Sequence, residues 1–376
     1  MHVVASGTVF DTRHAPSNER SASSSAALAL ADGTILATFR LGTERESDDG
    51  HLVVLASRDL GASWELLHLG LEERRLDGVR GESRGMALAE LTPGEITGTV
   101  LWTDRSDPSK PWVNQETQGL LPMRVYHTVS RDGGSTWTAP RVVDLAPHPS
   151  ASMTGPVLRL AGGDLGQPFE HWKDYDDPSL GRPRAMLRLS HDGGTTWPDD
   201  VVVAADPENR LYFWDQRLTT LPPPDGRHVA MFWTFDRVEG HDVPIHIAWG
   251  SPDGRQWTVP VPTPLDGQHC QPVAIGGERI VAVYSHRRNP PGVRIALSED
   301  AGRTWDPADD LEVYSSGAGD EPAATGAATE TEYWNAMGAW QFGHPRGVLL
   351  PNGEIFVVFY AGEGATRSGR WARIAI

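Results

Sequence analysis

The segment Ser130-Arg131-Asp132-Gly133-Gly134-Ser135-Thr136-Trp137 decides the fold, because close copies of it recur along the chain. Its residues are those of a tight hairpin turn: Asp accepts backbone N–H bonds, Gly adopts positive φ, and Ser and Thr cap the loop. The closing Trp covers the turn with an apolar ring and keeps an N–H donor. Copies stand at residues 57–64, 190–197 and 298–305, with a contracted copy at 251–257. We therefore expect these carboxylates to stabilise turns, and not to bind metal or take part in catalysis.

A second repeat lies between these turns, in which two apolar stretches flank a Gly-containing turn. The flanking stretches, such as residues 34–39 and 355–360, have the composition of buried strands. Strand A, the Gly turn, strand B, a longer loop, strand C, the Ser/Asp/Trp turn and strand D together make one four-stranded propeller blade. The Gly-containing A–B turns are at residues 31–33, 92–95, 162–164, 224–226, 276–278 and 351–354.

The two ends of the chain complete the last blade. Six A–B turns but five C–D turns indicate that this blade lacks its fourth strand. The chain ends on residues 371–376, which read as strand C, and the N-terminal residues 3–10 can supply the missing strand and close the ring. The sequence therefore predicts an all-β fold, a six-bladed propeller of four-stranded antiparallel blades in a single domain spanning residues 1–376.

Composition excludes several classes of partner. The 33 Lys and Arg against 50 Asp and Glu give a net charge of −17, which opposes binding to nucleic acid or to an anionic membrane surface. No run of about 18 apolar residues indicates a membrane span. A single cysteine, Cys270, allows no intramolecular disulfide and no Cys-based zinc site. The first 13 residues lack the features of a secretory signal, so we expect a cytoplasmic protein, or a secreted one if a leader was removed.

The functional side of the propeller follows from strand direction. Adjacent antiparallel strands place the A–B and C–D turns on one side, so the starts of strands A, the ends of strands B and the B–C loops meet on the other. Glycoside hydrolysis uses paired carboxylates, and the acids nearest this side are Asp48, Asp49, Glu170 and Asp215. We predict these four as catalytic residues.

Arginines and aromatic residues on the same side predict substrate binding. Guanidinium groups recognise carboxylates by shape and charge, and indole rings stack on sugar faces. The alternatives are that the arginines pair with acids of neighbouring blades and that Trp172, Trp214, Trp334 and Trp340 pack in the core. The predicted binding residues are Arg20, Arg45, Arg84, Trp214, Arg217, Arg237, Arg288 and His344.

These turns on a six-bladed propeller resemble the sialidase superfamily, in which they are called Asp boxes or bacterial neuraminidase (BNR) repeats. The resemblance covers essentially the whole chain. It implies an arginine triad for the substrate carboxylate, an Asp acid in the first B–C loop, a Glu at the fourth strand A and a Tyr nucleophile near the sixth. Arg45 with Asp48 or Asp49 is similar to the loop, and Asp215 falls where the Glu stands. Arg237 and one of Arg287, Arg288 and Arg294 lie near two triad positions.

Two family motifs are absent. The Phe-Arg-Ile-Pro motif does not occur, and Arg20 is the nearest arginine, three positions early. The Tyr position reads Phe342-Gly343-His344. The sequence therefore predicts an exo-acting, sialidase-like glycoside hydrolase for a terminal acidic or polar sugar, without a cofactor. Three explanations of the missing Tyr are open: another tyrosine (Tyr212 or Tyr175) takes the role, the enzyme inverts with water, or the substrate is not a sialic acid, and the last two are favoured.

Two alternatives to this hydrolase remain open. The missing motifs favour a non-catalytic glycan-binding propeller. A lyase or metal-assisted enzyme would use His269, His286 and His344. The sugar, its linkage, the stereochemical outcome and the oligomeric state have no signature in the sequence.

Overall fold

The computed structural model describes residues 1–69, 75–148, 150–317, 338–363 and 366–376. These residues form strands joined by turns, with four short 3-10 helices, and divide into two compact units. The first unit comprises Met1–Val157, Asp174–Pro178 and Gln341–Ile376, and the second comprises Leu158–Lys173 and Ser179–Trp340. A single domain over the whole chain stays a prediction.

The first unit contains an eight-stranded sheet and a five-stranded sheet. In the first, two antiparallel runs, β24-β25-β26-β1 and β2-β3-β4-β5, are joined by a short parallel pairing of β2 with β26, at Ser21 opposite Arg367. The second has the antiparallel order β6-β7-β8-β9-β10. Short β11 also belongs to this unit. The bounds are β1 His2–Phe10, β2 Ser21–Ala29, β3 Ile35–Gly42, β4 His51–Ser57, β5 Glu65–Leu69, β6 Arg75–Leu76, β7 Val79–Thr92, β8 Glu95–Asp104, β9 Met123–Ser130, β10 Arg141–Val143, β11 Ala151–Met153, β24 Phe342–Leu349, β25 Ile355–Glu363 and β26 Thr366–Ala375.

The second unit contains three further antiparallel sheets. Their orders are β12-β13-β14-β15, β16-β17-β18-β19 and β20-β21-β22-β23. The bounds are β12 Leu158–Arg159, β13 Leu165–His171, β14 Arg184–Ser190, β15 Asp199–Ala204, β16 Leu211–Thr220, β17 His228–Asp236, β18 His241–Gly250, β19 Val261–Pro262, β20 Gln268–Gly276, β21 Arg279–His286, β22 Gly292–Ser298 and β23 Leu311–Ser315.

Both sequence repeats coincide with hairpins. All six predicted A–B turns join paired antiparallel strands, for example Ala29 opposite Ile35 across the first turn and Leu349 opposite Ile355 across the last. The N-terminal strand β1 pairs with β26 from His2 opposite Ala375 to Phe10 opposite Gly369. The predicted closure of the last sheet by the N-terminus is therefore confirmed.

The hydrogen bonds of the Ser/Asp/Trp turns are those that their residues predict. The Ser130 hydroxyl donates to Asp132 and accepts the Gly134 N–H, both at 2.8–2.9 Å. The Asp132 carboxylate accepts the N–H and hydroxyl of Thr136, and Trp137 Nε1 donates to the Gly134 carbonyl. The Ser, Asp and Gly bonds recur in the copies that begin at Ser57, Ser190 and Ser298. The turn carboxylates are thus occupied in holding the backbone.

Several inner strands of the sheets are buried along their whole length. Every residue of β3, β4 and β17 is buried, as expected for strands covered on both faces. In the first unit, Phe39, Phe356 and Trp371 belong to one core cluster, and the Phe356 and Trp371 rings stack at 5.2 Å. In the second unit, Phe213 and Phe232 belong to another core cluster.

The first strand of most sheets carries a β-bulge at one recurring place. Register shifts occur in β2, β7, β16, β20 and β24 a few residues from the strand start. Non-glycine residues rarely adopt positive φ, and such strain concentrates at functional sites. The residues at positive φ in these bulges are Ser24 (49°), Asp215 (51°), His269 (44°) and His344 (47°).

Substituting Ser130→Ala should lower the free energy of unfolding by about 1–2 kcal/mol, because it leaves the buried Gly134 N–H without its acceptor. Urea denaturation measures this loss. Ser135→Ala, in the same turn but at the surface, is the control and should change stability by less than about 0.5 kcal/mol. Equal losses in the two variants would show that the buried bond does not stabilise the turn.

Candidate active site

The second unit brings Glu170, Asp215 and Arg217 together, three of the residues that the sequence predicts. The Asp215 N–H donates to Oε2 of Glu170 at 2.7 Å, and Oδ1 of Asp215 forms an ion pair with Arg217. Glu170 lies near the end of β13, and the other two lie in β16. The bulge between Trp214 and Arg217 turns the Asp215 N–H out of the strand pairing and toward Glu170. The bulge therefore creates the contact.

His269 is the fourth member of this site. Its Nε2 lies 3.5 Å from Oδ2 of Asp215, and only 3% of its side chain is exposed. The ring contacts Trp233 at 4.9 Å and meets Trp340 edge to face at 5.8 Å. The sequence proposed His269 only for the metal or lyase alternative. Its proximity to Asp215 follows from a second bulge, at positive φ, in β20.

The two carboxylates of this site differ in character. Burial raises the pKa of Glu170, and the negative charge of Asp215 raises it further, whereas the hydrogen bond from the Asp215 N–H and the charge of Arg217 lower it less. The result is a pKa of about 7 for Glu170. Asp215, by contrast, is the negatively charged partner of Arg217 in an ion pair. Such a difference between neighbouring carboxylates is typical of an acid catalyst beside an ionised partner.

The tryptophans near this site are packed in the core. Trp214 is buried and stacks on Phe235 at 5.2 Å with a 15° angle between the rings. Trp172 and Trp340 are buried too, and the Arg287 guanidinium lies 4.1 Å from the Trp340 ring centre. Trp334 lies outside the described residues. Core packing is the alternative that the sequence left open, and stacking of Trp214 on a sugar stays a prediction.

The first unit holds a separate cluster of buried arginines around Glu82. Oε2 of Glu82 accepts from Arg40 at 2.7 Å, and Oε1 accepts from Arg105 at 2.7 Å and from Arg84 at 3.1 Å. Burial alone would raise the pKa of Glu82, but the three positive charges lower it. Gly50 belongs to this arrangement, since a Cβ there would lie 2.1 Å from the Arg40 guanidinium.

Glu46 is the acid of the first B–C loop that faces this arginine cluster. It forms ion pairs with Arg84 and, at 3.2 Å, with Arg45. Burial raises its pKa, but the charges of Arg84, Arg45 and Arg40 outweigh burial and lower the pKa to about 2. Arg84 also lies 4.6 Å from the ring centre of Trp112. Arg45 and Arg84, both predicted binding residues, therefore occur together in a pocket of paired charges.

The predicted catalytic residues Asp48 and Asp49 have other contacts. Asp48 is exposed and lies 3.6 Å from Arg80, a surface ion pair. Asp49 accepts the N–H and hydroxyl of Thr43 and so fixes its own loop. Neither carboxylate is a member of the Glu82 cluster of ion pairs. Catalytic roles for Asp48 and Asp49 stay predictions.

The remaining predicted binding residues have contacts of their own. Arg20 is exposed and precedes β2, and Arg237 donates from Nε to the Asn209 carbonyl. Arg288 is half-exposed and pairs with Asp266 at 2.8 Å. His344 is half-buried, with its carbonyl accepting from Ser25 and its ring 6.1 Å from Tyr360. Their roles in substrate binding stay predictions.

A cavity of about 560 Å³ opens on the first unit, and its lining includes none of the predicted catalytic residues. Lys110 lies 4.6 Å from the ring centre of Tyr175 at its edge. Five of the eleven lining residues are aspartates, and the full lining comprises Asp104, Ser106, Asp107, Lys110, Leu121, Pro122, Ser150, Asp174, Tyr175, Asp176 and Asp177. In the described ranges no group of three or more His, Cys, Asp and Glu side chains is arranged to bind a metal ion.

The sequence places Arg40, Glu46, Glu82 and Arg105 on the functional side of the strands, but they are not among the predicted catalytic or binding residues. Arg40 and Arg105 stand at ends of strands B, so position alone carried a signal. Their burial carried no signal, because arginine and glutamate are usually exposed. Their pairing with an acid is the alternative that the sequence left open for the arginines. Glu46 could have been considered with Asp48 and Asp49, since all three lie in the same loop.

Comparison with known proteins identifies the family. Residues 99–357 match the BNR repeat-like domain family, which is more than half of the chain. The chain therefore belongs to the BNR repeat-like domain family, and its resemblance to the sialidase superfamily is confirmed at this level. No curated protein matches the chain.

Solved structures share the fold over the full length. A Dyadobacter fermentans protein of unknown function has 18% identity and a TM-score of 0.74, covering 100% of this chain and 99% of that one. The intramolecular trans-sialidase from Ruminococcus gnavus has 12% identity and a TM-score of 0.65, with 100% and 98% covered. An α-L-arabinanase from Penicillium chrysogenum has 14% identity and a TM-score of 0.63, with 100% and 98% covered.

These similarities concern the fold alone. They confirm the all-β propeller class that the sequence predicts, whereas the number of six blades stays a prediction. The helices in the described part of the chain are short 3-10 turns, and none has the length and apolar character needed to cross a membrane.

Substituting Glu82→Gln should destabilise the protein by about 3–5 kcal/mol, because it leaves the guanidinium groups of Arg40, Arg84 and Arg105 buried without their shared counter-charge. Chemical denaturation gives the value. Glu95→Gln removes a surface ion pair with Arg131 and should cost less than about 1 kcal/mol. An E82Q protein as stable as E95Q would contradict this account of the cluster.

The stability of the Glu170→Gln variant, measured relative to wild type at the same pH, should be greater at pH 8 than at pH 5. The pKa of Glu170 is raised from 4.5 to about 7 on folding, so the folded wild type loses stability as the pH rises through this window. The variant has no carboxylate to ionise and avoids this loss, which amounts to about 2 kcal/mol. Thermal unfolding at both pH values measures it, with exposed Glu299→Gln as the control. A stability difference between E170Q and wild type that does not change with pH would show that Glu170 has an ordinary pKa.

Proposed function

We propose that this protein is a glycoside hydrolase whose acid catalyst is Glu170 and whose second carboxylate is Asp215. Hydrolysis of a glycosidic bond requires a proton for the leaving oxygen and a negative charge near the positively charged sugar of the transition state. The observation that carries the proposal is the contact of Glu170 with Asp215. Burial and the charge of Asp215 raise the pKa of Glu170 to about 7, which favours proton donation at neutral pH. Asp215, beside it, provides the negative charge.

Arg217 and the buried surroundings support this division of roles. Arg217 pairs with Oδ1 of Asp215, and its positive charge favours the ionised form of that carboxylate. Burial disfavours a second negative charge, on Glu170. The reaction class is supported by the fold that the chain shares with an intramolecular trans-sialidase and an α-L-arabinanase. The geometry of this chain supports the choice of residues, and the fold supports the choice of reaction class.

The proposed substrate is a terminal acidic or polar sugar, cleaved in an exo manner. Its support is the concentration of arginines at the ends of strands B and in the first B–C loop of the sequence. A panel of aryl glycosides that includes uronic acids, a sialic acid and neutral sugars tests this class. Turnover restricted to neutral sugars would contradict the acidic part of the proposal.

The catalytic roles are tested with leaving groups of different acidity. Glu170→Gln should lower kcat/KM by about 10²–10⁴-fold on aryl glycosides with poor leaving groups, which need a proton. The loss should be less than about tenfold on 2,4-dinitrophenyl glycosides, because a good leaving group departs without one. Asp215→Asn should lower the rate on both substrates, since its charge is needed in either case.

Glu299→Gln is the matched control, because Glu299 is an exposed glutamate of the same unit, and it should keep wild-type rates on both substrates. Equal losses on good and poor leaving groups in E170Q would remove Glu170 as the acid. Saturable binding of glycans that stay intact on prolonged incubation would instead favour a non-catalytic glycan-binding protein.

A further inference from the structure

Oδ2 of Asp215 is a buried carboxylate oxygen that accepts no hydrogen bond from the described residues. A buried acceptor without a partner costs about 1–3 kcal/mol, and more when it is charged. The other carboxylate oxygen is paired with Arg217. The nearest ring nitrogen to Oδ2 is Nε2 of His269, 3.5 Å away, just beyond hydrogen-bond distance.

The backbone aims both side chains at this contact. Asp215 has φ of 51° and His269 has φ of 44°, each in the bulge of the first strand of its sheet. Neither residue is glycine, so both positions carry backbone strain of about 1–3 kcal/mol. Strain at two facing positions persists where the surrounding structure imposes it, and here it places a ring nitrogen opposite a carboxylate.

The packing around His269 fixes the direction of its ring. Trp233 contacts one side, and its own Nε1 donates to Asp242 at 2.7 Å, which holds the indole in place. Trp340 meets the His269 ring at 88° from another side. With 3% of its side chain exposed, His269 has little freedom to turn away from Asp215.

We infer that His269 is a positioning residue for Asp215, donating Nε2–H to Oδ2 in a contact that shortens when substrate binds. Asp215 would then be held by three donations at once: Arg217 to Oδ1, His269 to Oδ2, and its own N–H to Glu170. Hydrogen bonds of a catalytic site are often long without substrate and shorten when it binds. The inference rests on the proposed function for its effect on rate, but the contact itself is independent of it.

Three substitutions separate positioning from packing. His269→Leu removes the donor and should lower kcat by about 10–100-fold, the value of a hydrogen bond to a charged group, with KM changed less than about twofold. His269→Gln keeps an N–H donor at similar reach and should recover kcat to within about fivefold of wild type. His246→Leu removes another buried imidazole of the same unit, which contacts Phe213, and should leave kcat unchanged.

A second readout needs no substrate. In ¹⁵N NMR spectra of the full chain, Nε2 of His269 should carry the proton in the wild type, and its signal should shift in Asp215→Asn while that of His246 stays in place. Rescue by Gln together with this shift supports the inference. It is overturned if H269L keeps the kcat of H246L, if H269Q is as impaired as H269L, or if D215N leaves the His269 signal unmoved. Should the wild type turn over no glycoside, the proposed function fails and the NMR shift alone decides whether the contact exists.

Discussion

The hydrogen bond from the Asp215 N–H to Glu170 is the interaction on which the candidate site depends. A regular strand would use that N–H for pairing within its sheet, and the bulge in β16 releases it. The same bulge turns the Asp215 side chain toward Arg217 and His269. One irregularity in one strand thus gathers two carboxylates, a guanidinium and an imidazole. Because such a conformation is unfavourable for aspartate, the packed sheets around it must supply the free energy that maintains it.

Two glutamates, the buried Glu82 and the half-buried Glu170, show how neighbouring charges decide the protonation state. Glu82 lies among Arg40, Arg84 and Arg105, and its pKa is lowered despite burial. Glu170 lies beside Asp215 and one arginine, and its pKa rises to about 7. The first arrangement suits a structural ion-pair cluster that stays charged, and the second suits a proton donor. The residue type is the same in both places, so only the three-dimensional neighbours distinguish them.

The regular parts of the fold could be predicted from the sequence, and the site only in part. The turn copies, the six Gly-containing hairpins and the pairing of β1 with β26 follow from local residue types and spacing. Glu170, Asp215 and Arg217 were placed near one another because strand direction brings strand ends together. The bulges have no such signature, since Asp215 and His269 adopt a conformation typical of glycine. In the first B–C loop, the sequence favoured Asp48 and Asp49, whereas Glu46 faces the arginines because the loop backbone is held by Arg40.

The most direct test of this account is a titration of the Glu170 carboxyl group by ¹³C NMR, in the wild type and in Asp215→Asn. Removing the neighbouring negative charge should lower the apparent pKa of Glu170 from about 7, since that charge is one of the two causes that raise it. An apparent pKa near 7 that falls in the variant is the predicted result. A Glu170 that titrates near 4.5 in both proteins would contradict the account, because no protonated carboxyl would then stand beside Asp215 at neutral pH.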